Sequence, residues 1–316
     1  MTERQKIAFL FPGQGSQYVG MGKDFVENDP EARELLARAE AISGYPLQRL
    51  CLEGPLEELT RTAYLQPAVT ALNLMTLQAL RRAGVEPDLV AGHSLGEYSA
   101  LCAAGVVSVD DALRLTTERG RLMEREAGGK PGAMAAILGL EIDQVAGLVA
   151  ELRDRGVITV ANHNSAQQIV VSGDPAPVAA AVELAGARGG KGIPLKVSGA
   201  WHSELVAGAV PDFSSFMAGV GFNAPRLPLF FNVTASEEPD PEKIRAIMAR
   251  QIAAGVRWFE IMNECLARGV GTFVEVGPKN VLSGLLKKIV PAGRAYRSFQ
   301  VDTPAAVSKL VEELKG

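Results

Sequence analysis

The strand-like stretch Asp88-Leu89-Val90-Ala91 runs into Gly92-His93-Ser94-Leu95-Gly96 and on into the helical Glu97-Tyr98-Ser99-Ala100-Leu101, and this corner constrains the chain more than any other segment. G-x-S-x-G between a strand and a helix is a demanding local structure. Its glycines permit a strained turn that lifts the Ser94 hydroxyl out of a sheet. The helix start supplies backbone N–H groups where negative charge develops. A glycine-rich loop with a helix-capping serine would carry the same five letters, but the flanking strand and helix favour a nucleophile.

Such a corner belongs to a buried parallel sheet. Lys6 to Phe11 (KIAFLF) is a short apolar run closed by Pro12-Gly13, as expected of a strand covered on both faces. Apolar residues recur at helical spacing from Glu31 to Ile42 and from Pro67 to Ala83, the latter stopping at Gly84 before Pro87. With the strand Leu89 to Gly92 they make a crossover unit.

Between Gly132 and Ser198 the rhythm shortens to GAMAAILGL, a helix from Ile142 to Arg153, VITVAN, QIVVSG, a helix from Ala176 to Ala187, and GIPLKVS. This βαββαβ order is the split unit of a ferredoxin-like domain. It is bracketed by Gly128-Gly129 and Gly199. Beyond it come LPLFFNVTA, helical patterns across 241–268, the strand TFVEVG and closing helices. The expected fold class is α/β: a large α/β-hydrolase-like domain with a central parallel sheet (residues 1–128 and 200–316), interrupted by a smaller ferredoxin-like domain (129–199).

The bulk numbers exclude several classes. With 316 residues, 47% of them hydrophobic, the chain can bury a large core. A net charge of −4 gives no global footprint for nucleic acid or anionic membrane, so neither is an expected partner. Cys51, Cys102 and Cys265 lack disulfide or zinc spacing and read as structural. The N-terminal apolar run is too short for a signal peptide, and no segment offers the roughly 18 apolar residues of a membrane span. A cytoplasmic location is therefore expected.

A serine hydroxyl needs an adjacent base, usually histidine. The chain has three. His93 cannot readily face Ser94 across a tight turn and reads as structural, whereas His163 in VANHNS could line a cleft. His202, in KVSGAWHSEL, follows the last strand of the insert, at a junction where clefts form. No acid pairs with it by motif, so a distant acid or a neutral carbonyl must orient the imidazole.

Phe11-Pro12-Gly13-Gln14-Gly15-Ser16-Gln17 after the first strand tempts a nucleotide-binding reading, but the sixth position from Gly13 is Tyr18 and no P-loop pattern exists. In the order F-P-G-Q-G-S-Q, G-H-S-L-G-E-Y, E-R-G-R-L-M, A-N-H-N-S, G-A-W-H-S and V-E-V-G-P, the sequence resembles the malonyl-CoA:acyl carrier protein transacylases over essentially its whole length. The resemblance implies malonyl transfer from coenzyme A to the phosphopantetheine thiol of acyl carrier protein in fatty acid synthesis, with Ser94 carrying the acyl group and His202 as its base. It also implies an oxyanion hole from the backbone N–H groups of Gln14 and Leu95, and a backbone carbonyl of Gln251 orienting His202. Where the family usually has serine or asparagine and then proline before the valine of Val-x-Trp, this chain has Ala254-Gly255. The family needs no cofactor or metal beyond its substrates, malonyl-CoA and the carrier, and a monomer is expected.

The same resemblance assigns Arg119 to the malonyl carboxylate, and helical geometry points the same way. Arg119 falls beside Ala112, Leu115, Leu122 and Met123, while Arg114, Glu118, Arg121 and Arg125 gather on the other face. A buried guanidinium needs an anion, either a substrate carboxylate or a core Asp or Glu. Gln66 and Asn162 match family positions lining the pocket. Trp201 stands where malonyl-selective relatives commonly have phenylalanine, and a large ring there should resist a methyl-branched acyl chain. An acidic carrier would meet cations at the mouth, with Arg121, Arg125, Lys130, Lys191, Lys196, Lys279 and Lys287 as candidates. A lipase- or patatin-like serine hydrolase would instead place an Asp or Glu on His202, and a non-catalytic docking module would not need Ser94, His202 and Arg119 together.

Overall fold

Strands form where the apolar runs are, and the computed structural model describes residues 5–315. The strands are β1 (Lys6–Phe11), β2 (Leu89–Gly92), β3 (Ala133–Leu138), β4 (Ile158–Ser165), β5 (Gln168–Gly173), β6 (Lys191–Pro194), β7 (Leu229–Phe230), β8 (Val270–Val276) and β9 (Arg297–Val301). Five of them build one sheet in the order β7-β2-β1-β8-β9, parallel at every pairing. The rest build an antiparallel sheet in the order β4-β5-β3-β6. The chain is thus α/β, with a central parallel sheet and a separate ferredoxin-like one.

The parallel sheet is covered on both faces because its strands are apolar on both faces. Alternate β1 side chains enter different cores: Phe9 and Phe11 join Leu72, Val90 and Leu101, whereas Ala8 and Leu10 join Leu89, Ala91, Trp258 and Leu286. The antiparallel sheet divides its faces the same way. Ala135, Ile137, Ile169 and Val171 pack beneath the helices Ile142–Leu152 and Pro175–Ala187. Met134, Ala136 and Val170 point the other way, into the core that also holds Trp201 and Met123. That second face forms one wall of a cleft.

Several elements depart from the sequence reading. The helix expected from Pro67 begins at Thr62 and runs to Arg82, with Pro67 inside it. Proline removes one hydrogen bond, to the Ala63 carbonyl, but packing compensates. Thr62, Ala63, Leu65 and Gln66 are buried, and the first turn rests on Gly120 of the Val109–Gly129 helix, where a Cβ would lie 2.8 Å from the Thr62 carbonyl oxygen. Of LPLFFNVTA only Leu229–Phe230 pairs in the sheet. The last insert strand ends at Pro194, earlier than GIPLKVS suggested, so residues 195–198 are left to border the cleft. β9 escaped notice because Arg297, Ser298 and Gln300 give an edge strand no apolar run. Among the described residues no helix is long and apolar enough to cross a membrane.

The corner after β2 is held by backbone contact. A Cβ on Gly96 would stand 1.9 Å from the Phe11 carbonyl oxygen, and one on Gly92 2.1 Å from the Gly96 carbonyl carbon. Gly96→Ala and Gly92→Ala should each lower unfolding free energy by more than about 3 kcal/mol in urea titrations. An unchanged urea midpoint would show that the corner tolerates a side chain.

Candidate active site

Ser94 adopts φ 50, the left-handed region that a serine occupies only under constraint, at a cost on the order of 1–3 kcal/mol. One side chain clamps both ends of its turn. The Ser94 N–H donates to Asn232 Oδ1 at 2.6 Å, and Asn232 Nδ2 donates to the Gly92 carbonyl at 2.7 Å. The hydroxyl so raised lies 2.7 Å from His202 Nε2. His202, also with a positive φ of 58, is only 4% exposed.

On its other side, His202 Nδ1 faces two backbone carbonyls, Gln251 at 3.1 Å and Ala254 at 2.9 Å. Carbonyl oxygens only accept, so Nδ1 carries the proton and Nε2 presents a lone pair to Ser94. The expected Gln251 carbonyl is thus in place, joined by that of Ala254, at the position where this chain departs from the family's usual residues. No Asp or Glu contacts His202 among the described residues, which removes the geometry the hydrolase alternative requires. Burial, reinforced by the nearby Arg119 charge, lowers the His202 pKa to about 3 against the pull of the two carbonyls. The imidazole is therefore neutral at ordinary pH, as the expected role of base requires.

Arg119 lies in the apolar stripe of the Val109–Gly129 helix and is 1% exposed. Its Nη1 donates to Gln66 Oε1 at 2.9 Å, and its Nε and Nη2 donate to Gln251 Oε1 at 3.2 and 3.0 Å. Nη2 also reaches Ser94 Oγ at 3.1 Å. Each of these acceptors is neutral, and no carboxylate forms an ion pair with Arg119 among the described residues. Burial lowers its pKa, the direction expected for a cation without a counterion at contact.

Gln14, Ser94, Leu95, Asn162, Trp201 and His202 border one cavity of about 220 Å³, with Arg119 in its wall. The Gln14 and Leu95 amides donate to no protein acceptor among the described residues, so both remain open to an incoming oxygen. Gln66 is buried behind Arg119 rather than on the cavity surface. Asn162 is fixed by a bridge to Val256. His93 bonds Asn164 through Nε2 at 2.8 Å and meets Trp258 edge-on, and it too borders the cavity. His163 does not line the cleft; it packs on Phe259 and bonds Glu260.

Of the basic candidates, Arg121 is committed to Glu118, and Arg125 to Glu126 and Asp212. Lys279 reaches the Gly15 carbonyl beside Gln14, and Lys196 borders a neighbouring hollow that Gln14 shares. Three contributors were not read from sequence: Asn232, Glu97 and the Ala254 carbonyl. Glu97 lies inside G-H-S-L-G-E-Y, and a charged residue opening the apolar stretch Tyr98 to Ala104 was the available signal. Among the described residues no cluster of three or more His, Cys, Asp or Glu could hold a metal ion.

A neutral dyad at a strand–helix corner, beside amides open to an oxyanion and a buried cation, is the equipment of an acyltransferase. Residues 8–307 match the acyl transferase domain family. The chain is 39% identical over 312 residues to the malonyl CoA-acyl carrier protein transacylase of Bacillus subtilis strain 168, covering 98% of each. It superposes with a TM-score of 0.92 on an acyl carrier protein S-malonyltransferase of Vibrio cholerae, at 37% identity and covering 96% of this chain and 99% of that one. The same TM-score, at 35% identity and 98% and 99% coverage, relates it to a malonyl-transacylase in complex with a type II polyketide acyl-carrier protein. The chain belongs to the acyl transferase domain family, among its malonyl CoA-acyl carrier protein transacylases.

The lowered His202 pKa has a sign that can be tested. Between pH 6.5 and about 3 the unfolded chain protonates this histidine while the fold does not, so its contribution to stability is lost as pH falls through that window. In the folded protein the His202 imidazole stays neutral throughout that window. Inactivation of Ser94 by a neutral sulfonyl fluoride should keep its rate from about pH 8 down to about pH 5. An acid limb centred at the ordinary histidine value would contradict the assigned environment.

Proposed function

We propose that the protein transfers the malonyl group of malonyl-CoA to the phosphopantetheine thiol of acyl carrier protein through a malonyl-Ser94 intermediate, in two ping-pong half-reactions. Ser94 Oγ attacks the thioester carbonyl as His202 Nε2 takes its proton. The oxyanion is met by the Gln14 and Leu95 amides, the imidazolium returns its proton to the coenzyme A sulfur, and coenzyme A leaves. The carrier thiol then attacks the Ser94 ester, giving its proton to His202, and the serine hydroxyl is restored as the intermediate collapses.

The observation that carries this reading is the Arg119 guanidinium, buried with neutral partners only and 3.1 Å from Ser94 Oγ. An acyl group ending in a carboxylate supplies the missing anion in a bidentate geometry. Trp201 borders the cavity, where its large ring would resist a branched acyl chain. Relatives described as acting on malonyl-CoA and acyl carrier protein, one of them in complex with a carrier, support the substrate pair. The reaction is assigned to the cytoplasm and to a monomer without cofactor, feeding fatty acid chain elongation.

Arg119→Ala should lower kcat/KM for malonyl-CoA by about 10²- to 10³-fold, the worth of a buried charge pair, while acetyl transfer is kept or increased. Both donors can be compared in assays with the phosphopantetheinylated carrier. Equal loss with malonyl- and acetyl-CoA would refute the carboxylate role.

A further inference from the structure

Glu97 is fully buried at the start of the Gly96–Ala103 helix, three residues past Ser94, and the reaction described above makes no use of it. Its Oε1 accepts the Asn232 backbone N–H at 2.9 Å, and its Oε2 accepts Gln251 Nε2 at 2.9 Å. Gln251 Nε2 also donates to the Ser94 carbonyl at 2.8 Å. With Glu97 ionised, both amide hydrogens of Gln251 meet oxygens that can only accept. This forces Oε1 to the opposite side, where the Arg119 Nε and Nη2 donate. A flipped amide would set oxygen against the Glu97 carboxylate and the Ser94 carbonyl, and NH₂ against a guanidinium, so every contact would be repulsive.

We propose that Glu97 is the positioning residue for donor selection: it locks the Gln251 side-chain amide so that Oε1 holds Arg119 with its fork aimed at the acyl carboxylate beside Ser94. Glu97 touches no substrate and acts only through Gln251. The same contact orders the loop that carries Asn232, whose side chain clamps the Ser94 turn, so one carboxylate ties the carboxylate-binding group to the nucleophile's corner. Burial raises the Glu97 pKa to about 7 against the pull of the Asn232 amide, the Gln251 amide and the Arg119 charge, so the ionised form that accepts on both sides prevails above neutral pH. This inference rests on the reading of Arg119 as the malonyl anchor.

Glu97→Gln keeps the shape and removes the two-sided acceptor: its own NH₂ must face either Gln251 Nε2 or the Asn232 N–H. The ratio of kcat/KM for malonyl- over acetyl-CoA should fall at least about tenfold, mainly through KM for malonyl-CoA, with any loss of acetyl transfer the smaller of the two. Glu97→Asp retains a carboxylate and should preserve more of the selectivity than Glu97→Gln. Equal loss of both donors, or an unchanged ratio, would overturn the proposal. Failure of both variants to fold would also overturn it, since Glu97 would then hold the fold rather than aim Arg119. If Arg119→Ala shows no donor split, the anchor reading fails first; if it does while Glu97→Gln leaves the ratio intact, only the role of Glu97 falls.

Discussion

A guanidinium removed from water with only amide and hydroxyl oxygens in contact with it is an unfinished interaction, and much of the surrounding structure serves to hold it that way. Arg119 sits on the apolar stripe of its helix because the neighbouring residues there are apolar. The adjacent Gly120 lets the Thr62–Arg82 helix approach closely enough for Gln66 to reach the guanidinium. From the other side Gln251 ties it to the end of the Pro241–Gln251 helix. Two long-range partners fix the fork, and neither neutralises it. Burial of an unpaired charge is tolerated where a ligand of opposite charge completes the site.

The imidazole proposed as base follows a related logic. His202 is oriented by carbonyls, which fix the tautomer as a carboxylate would but stabilise imidazolium less. Coupled with burial, this keeps the ring neutral and makes a long-lived proton on it unfavourable. Such a dyad suits the proposed exchange between two thiols, where the proton taken in each half-reaction is returned promptly, to the coenzyme A sulfur in the first and to the Ser94 oxygen in the second. In a narrow cavity, a positioned thiol then has the advantage over diffusing water.

The parts of this architecture legible in the sequence are those encoded locally. Lys6 to Phe11 and Leu89 to Gly92 are short apolar runs with glycine punctuation, and the βαββαβ rhythm of residues 132–198 is a matter of period and spacing. Arg119 was visible because a helix repeats within a few residues. Ser94 and His202 lie 108 positions apart, and their 2.7 Å contact was expected from elimination among three histidines and from family likeness, not from any local pattern. Asn232 and Glu97 were not read because their partners lie 135 to 154 positions away, and a single Asn after an apolar run looks like a loop residue. Pro67 misled because the usual helix-start rule is local, whereas the turn before it is held by a neighbouring helix.

The proposed chemistry requires that a carboxylate-bearing acyl group come to rest on Ser94. The most direct measurement is mass spectrometry of the protein incubated with malonyl-CoA in the absence of carrier, followed by peptide mapping. A stable malonyl adduct confined to the peptide containing Ser94, discharged when the carrier thiol is added, is the predicted result. An unmodified protein that releases free malonate, or an adduct on any other residue, would contradict it.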